Sequence, residues 1–263
     1  MALASVAFPP LFHTFMRGQI SALVLLCFTA AFLSFRANRH FLAGIALGFL
    51  ILKPQFLIAM PLILLFAGAW AEFFGLVLSA GAHLTFARLY FGPGVTQKYF
   101  EVLRYPGRWI NAAELSLAPV QMHSLRSFWT LLIPSPHVAL ALYALTALLV
   151  IGIAVSIWRS QSPLALRFSA LALAAVLVNP HLFVYDLMVL APAILLVVDW
   201  SLTHPQAVSS PYLLVLSYLA FILPLFGPVA RWTHLQLSVL VFMAVLWILR
   251  QAANSRAEEC LPS

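Results

Sequence analysis

Charge is what this chain has least of. Only 8% of its residues are Asp, Glu, Lys or Arg, against roughly a quarter in an ordinary soluble domain. Acids are the scarcer sign, seven against fourteen bases. Cysteine is nearly missing as well. Cys27 stands in an apolar run and Cys260 in the polar tail, which argues against a disulfide. The signatures of soluble chemistry are missing too: there is no Gly-rich phosphate loop, no HExxH, no CxxC and no GxSxG. The bases are scattered rather than run together, which excludes nucleic acid as a partner. No His, Asp or Glu set has ligand spacing, so neither a metal nor another cofactor is expected. The N-terminus lacks the basic segment and cleavage site of a signal peptide. The closing Cys-Leu-Pro-Ser is a poor prenylation box because Pro stands inside it. No internal repeat of the transporter kind is visible.

What fills the space is apolar. Hydrophobic residues make up 63% of the 263, more than a soluble fold of this size can hide. The class is therefore an all-α, polytopic transmembrane bundle forming one domain over 1–263. Apolar runs at 20–35, 41–52, 55–70, 74–91, 137–158, 164–178, 187–199, 211–226 and 235–249 give about eight or nine spans, some short or broken. Short runs meeting at Pro are tolerated where protein or a watery cavity satisfies the freed backbone.

Basic residues orient the runs. Arg36 and Arg39, Arg159 and Arg167, and Arg250 and Arg256 place 36–40, 159–163 and the tail 250–263 in the cytoplasm. The segments 92–136, 179–186 and 227–234 then fall on the outer side. Parity holds only if 41–70 is a hairpin with its tip at Lys53-Pro54-Gln55. The first arm, 41–52, rises only about 18 Å, so Lys53 is expected inside the outer half of the bilayer, in a protein-lined cavity. The long outer loop 92–136 carries Lys98, Arg104, Arg108 and Arg126 among Tyr90, Phe91, Tyr99, Phe100, Tyr105, Trp109 and Trp129. That mixture suits headgroups, phosphates or sugar rings. The plain alternative is an interface-lying helix with an aromatic belt.

Ionisable groups within spans are costly and mark function by default. Glu72 and Asp199 adjoin run ends near Trp70 and Trp200 and read as interfacial. Lys53 and Asp186 sit at Pro-containing breaks on the outer side. Either they form an inert ion pair, or they line a cavity in which Lys53 offsets a phosphate. In the second case Asn179, His181, Tyr185 and Asp186 orient a polyol. Arg17 and Gln19 follow Pro9-Pro10 and open the next run, where a helix N-terminus attracts anions.

The stretches FPPLF…RGQIS (8–21), AGIALGFLILKPQ (43–55), VQMHSLRSFWTLL (120–132) and NPHLFVYDLMVL (179–190) occur in an order similar to the motifs of glycosyltransferase family 87. The resemblance implies a C-class glycosyltransferase. Such an enzyme takes a hexose, typically mannose, from a polyprenyl-phosphate sugar at the outer face of the plasma membrane. The acceptor is a glycolipid or glycan. On this reading Lys53, Arg17 and Arg126 offset the leaving phosphate, while Gln19, Asn179, His181, Tyr185 and Asp186 shape the sugar site among membrane lipids. The resemblance also implies an acidic general base in a first outer loop that would precede Met1, making the chain an N-terminally truncated member. Glu101 and Glu114 are the acids left in loop 92–136, and no catalytic residue is assigned. The rival readings are a transporter or lipid-handling protein, and an inactive remnant.

Overall fold

The computed structural model describes residues 7–104, 119–160 and 162–259. Tyr105, Arg108, Trp109, Glu114 and Cys260 lie outside them. Helices account for almost all of the described chain, and the one β-type contact is an isolated antiparallel bridge between Met122 and Phe183. Among the described residues five helices are long and apolar enough to cross a membrane, and four shorter apolar helices accompany them. The protein is a multi-pass membrane bundle.

Helix α1 (Pro9–Met16) begins on Pro, whose missing N–H costs nothing at a helix start. A turn through Gly18 at φ 57° leads into α2 (Ser21–Arg36). Then α3 (His40–Gly48) continues as a 3-10 turn, Phe49–Leu52, and stops at Lys53 before Pro54. A second 3-10 turn, Pro54–Leu57, leads into α4 (Met60–Ala67), which ends at Gly68 in the left-handed conformation (φ 75°). Helix α5 spans Trp70–Phe91 and α6 spans Pro93–Arg104.

The hairpin expected over 41–70 is present, and glycine contacts prove its direction. A Cβ on Gly44 would stand 2.1 Å from the Glu72 carbonyl oxygen, and one on Gly48 would stand 2.5 Å from that of Leu76. Residue numbers rise together, so α3 and α5 run parallel, and the chain must return between them through α4. The Phe49 and His83 rings lie 4.2 Å apart, so the end of the first arm packs beside the second half of α5.

Helix α7 (Leu125–Leu132) opens at Ser124, whose N–H donates to Ser127 Oγ at 3.2 Å. Helix α8 is Pro136–Arg159 and α9 is Leu164–Val178. From Leu166 to Val178 every residue of α9 except Arg167 is buried, which makes this Ala-rich helix the centre of the bundle. Phe28 and Phe168 meet edge to face at 6.2 Å, and Phe28 and Phe56 at 6.1 Å. These rings clamp the hairpin to α9. A 3-10 turn, Val184–Val189, precedes α10 (Leu190–Thr203), and α11 is Ser210–Ile222.

Four expectations shift. Glu72 keeps its place at the start of α5 but is buried in protein rather than open: it is 6% exposed and accepts from His40 Nδ1 at 2.7 Å. Helix α5 starts four residues before its apolar run because Trp70, Ala71 and Glu72 are adequate helix formers ahead of it. The outer turn expected at 227–234 is mostly helical, with a 3-10 segment, Leu223–Val229, running into the single-turn α12 (Ala230–Thr233). The reversal is left to 234–236, with His234 at φ 55°. Helix α13 (Leu237–Glu259) continues into the supposed tail, since neither Gly nor Pro interrupts it.

Candidate functional site

Three separate stretches reach one end of the bundle. The hairpin tip delivers Lys53, the start of α2 delivers Ser21, and the turn after α9 delivers Asp186. Lys53 Nζ pairs with Asp186 Oδ1 and also donates to Ser21 Oγ at 3.0 Å. Ser21 Oγ in turn donates to Asp186 Oδ1 at 2.9 Å. The second carboxylate oxygen accepts from the Phe183 N–H at 3.4 Å. Lys53 is 9% exposed and Asp186 2%. Of the two arrangements open to Lys53, pairing with Asp186 or facing a cavity, the ion pair is present, and the ammonium is committed to these two partners. The reason is desolvation, because a buried ammonium is stable only when paired.

Tyr185 joins this core to a cavity. Lys53 Nζ lies 5.0 Å from the centre of its ring, within cation–π range. Phe183 stacks on the same ring at 5.5 Å. The Tyr185 carbonyl accepts from Thr14 Oγ1 at 3.1 Å, which pins α1 across the 3-10 turn. Beyond the ring opens a cavity of about 220 Å³, with His13, Arg17, Gln121, His123 and Tyr185 in its wall. Arg17 is exposed and makes no ion pair among the described residues.

His123 is the residue that sequence reading passed over. It is 1% exposed, with Nδ1 2.8 Å from Ser238 Oγ. Its N–H donates to the Leu182 carbonyl at 2.9 Å. Burial pushes the imidazole down to about 4, with the nearby His13 adding to the effect. It is therefore neutral at physiological pH. Gly227 makes room for it, since a Cβ there would stand 3.1 Å from the ring. Ser21, Thr14, His13 and Gln121 were missed as well. A lone Ser or Thr in an apolar chain gives no warning, and His123 was visible only as one letter of the 120–132 motif.

The remaining expected residues stand around this centre without lining the cavity. Asn179 is fully buried; its Oδ1 accepts from the His181 N–H at 2.9 Å, while Nδ2 has no partner. His181 is half-buried, and burial with the Arg126 charge holds it below the usual imidazole value. Arg126 is exposed in the first turn of α7. Gln19 is half-buried, and its N–H donates to the Thr14 carbonyl at 3.1 Å. Among the described residues no three His, Cys, Asp or Glu side chains are placed to hold a metal ion.

The arrangement can hold an anionic, hydroxylated ligand. Arg17 supplies the open positive charge, and Tyr185, His123, His13 and Gln121 supply rings and hydrogen bonds. Comparison with known proteins adds one finding. The model of glycosyltransferase family 87 matches residues 1–180. Neither a curated protein nor a solved structure matches the chain.

Proposed function

Because the chain belongs to glycosyltransferase family 87, we propose that this membrane glycosyltransferase takes a hexose, mannose in the first instance, from a polyprenyl-phosphate sugar. The acceptor is a lipid-linked or glycan hydroxyl, and transfer occurs at the face carrying Lys53 and Asp186, the outer face of the plasma membrane. The observation that carries the reading is the meeting of Arg17, His13, His123 and Tyr185 around one cavity, braced from behind by the Lys53–Asp186 pair.

Negative charge grows on the lipid phosphate as the sugar departs, and a fixed cation lowers that barrier. Arg17 takes this role, since its guanidinium is uncommitted. Lys53 holds Tyr185 and Asp186 in place and adds its field. Gln19, Asn179, His181 and Arg126 set the position of the chain segments that frame the cavity. No general base is assigned within this chain.

An apolar groove of about 610 Å³ supports a lipid-linked donor. It runs between α10 and α11, lined by Ile194, Leu195, Leu214 and Phe221, and reaches Phe8. Phe8 precedes α1, and Arg17 follows it. One short helix thus links a path for an isoprenoid chain to a cation for its phosphate.

The test is sugar transfer from polyprenyl-phosphomannose in membranes carrying the chain. Arg17→Gln is expected to lower kcat by roughly a hundredfold with a smaller change in KM. Leu195→Trp, which fills the groove, should raise KM for long-chain donors more than for short ones. Equal activity in Lys53→Ala and the parent would remove Lys53 from the reading. Failure of the parent to transfer would remove the donor assignment.

A further inference from the structure

A second polar site lies at the other end of the bundle, far from the Lys53–Asp186 pair. The close approach of α3 and α5 builds it. Gly44, Gly48 and Gly75 let the two backbones touch, which sets His40 at the start of α3 beside Glu72 in the first turn of α5. Their side chains meet at 2.7 Å, with the Glu72 carboxylate buried. Two adjoining clefts, of about 470 and 320 Å³, share His40, Glu72, Trp158 and Arg167 as a common wall. Arg159 borders the first and Arg36 the second.

Three Arg residues thus border clefts that hold one carboxylate, and that carboxylate is already engaged by His40. None of Arg36, Arg159 and Arg167 makes an ion pair among the described residues. Arg167 is held in place with its guanidinium carbon 5.7 Å from the Trp158 ring. Its Nε is buried and has no hydrogen-bond partner. A pre-positioned guanidinium with an unused buried donor is suited to a planar or tetrahedral oxyanion, which it can grip with two N–H groups. The rim of the larger cleft is apolar as well as basic. Trp70 lines it, is 54% exposed, and stacks on the exposed Phe74 at 6.3 Å. Aromatic rings beside basic groups at a helix end match the headgroup level of a bilayer.

We propose that these clefts bind a phosphate group, carried by an anionic lipid of the leaflet opposite the sugar-transfer site. Arg167 and Arg159 grip the phosphate, Arg36 reinforces the field from the neighbouring cleft, and Trp70 and Phe74 lie against the lipid's glycerol and upper chains. The His40–Glu72 contact forms part of the shared wall and engages the carboxylate there. The proposal is independent of the transferase reading, because none of these residues belongs to the cavity of Arg17 and His123.

The experiment uses the full chain, purified in detergent and stripped of bound lipid. Phosphatidylglycerol, phosphatidylcholine of matched chains, and inorganic phosphate are added separately. Retained ligand is read by native mass spectrometry, and the melting temperature is read in parallel. Phosphatidylglycerol is expected to be retained and to raise the melting temperature by several degrees, and phosphatidylcholine is not. The double variant Arg36→Gln/Arg159→Gln changes only exposed side chains and should cut phosphatidylglycerol retention roughly tenfold with an unchanged melting temperature in phosphatidylcholine. Arg167→Gln should do the same; if it fails to fold, the exposed pair decides. Inorganic phosphate that displaces phosphatidylglycerol and stabilises equally would keep the phosphate site and assign it to a soluble phosphate. Retention undiminished in the double variant, or equal retention of phosphatidylcholine, overturns the proposal.

Discussion

Lys53 and Asp186 lie 133 residues apart, yet each satisfies the other's charge. Buried ion pairs contribute little net stability when intact, but leaving one charge unpaired costs about 3–5 kcal/mol. Lys53→Met and Asp186→Asn are each expected to destabilise by about that amount, and Lys53→Met/Asp186→Leu should recover most of the loss. Thermal unfolding in detergent checks this, and single variants as stable as the parent would show that the pair is not sealed from water. His123 makes a second prediction. Its folded value of about 4 lies below the ordinary 6.5, so the unfolded chain binds the proton first as pH falls. Stability is therefore full above about pH 7 and declines through the interval between those two values, losing about 2 kcal/mol by pH 5. His123→Asn should flatten that part of the pH profile relative to the parent.

Among elements, the hairpin of α3 and α4 does most to position the site. It depends on glycine where α3 meets α5. With the Gly44 Cβ position only 2.1 Å from a backbone oxygen, Gly44→Ala must push the two helices apart, because neither backbone can yield locally. Small residues at such crossings are what lets membrane helices associate. The expected cost is about 1–3 kcal/mol, with loss of the His40–Glu72 contact. A protease-protection or melting measurement on Gly44→Ala beside Gly81→Ala, whose Cβ would meet nothing, separates crowding from helix propensity. An equal response of the two would contradict the close approach of α3 and α5 at Gly44. The residues of α9 tell a complementary story. Its Ala-rich sequence reads as one more apolar run, and only its neighbours on every side show it to be the axis of the bundle.

At the scale of the molecule, polar groups are gathered at the two ends. One end holds the Lys53–Asp186 pair and the cavity of Arg17, and the other holds His40, Glu72, Arg159 and Arg167. Adjoining clefts bring Arg36 and His40 near Arg159 and Ser160, while Tyr99 meets Ile51 at the opposite end, where Lys53 pairs with Asp186. The proposed topology, taken from the distribution of Arg, sets the 36–40 end in the cytoplasm. In a background with Cys27 and Cys260 replaced, Gln121→Cys should react with a membrane-impermeant thiol reagent in intact cells, and Asn38→Cys only after the membrane is opened. The reverse pattern would invert the bundle and move the proposed transfer site to the cytoplasmic side.

Composition and run length alone determined that this protein is a helical membrane bundle, because so apolar a chain has no other stable partner than lipid. Parity of basic loops called for the hairpin at Lys53, and the family motifs drew attention to 8–21, 43–55, 120–132 and 179–190. Their meeting point was legible only in outline. That Asp186 seals Lys53, that Ser21 bridges them, that His123 is held neutral behind Gly227, and that Glu72 is buried against His40 are all consequences of packing between distant segments. Sequence spacing carries no record of them, since each rests on which helix faces which. The division follows from the forces involved. Transfer of apolar surface acts on every residue by its type, whereas ion pairs and close backbone contacts act only where the fold has already brought their partners together.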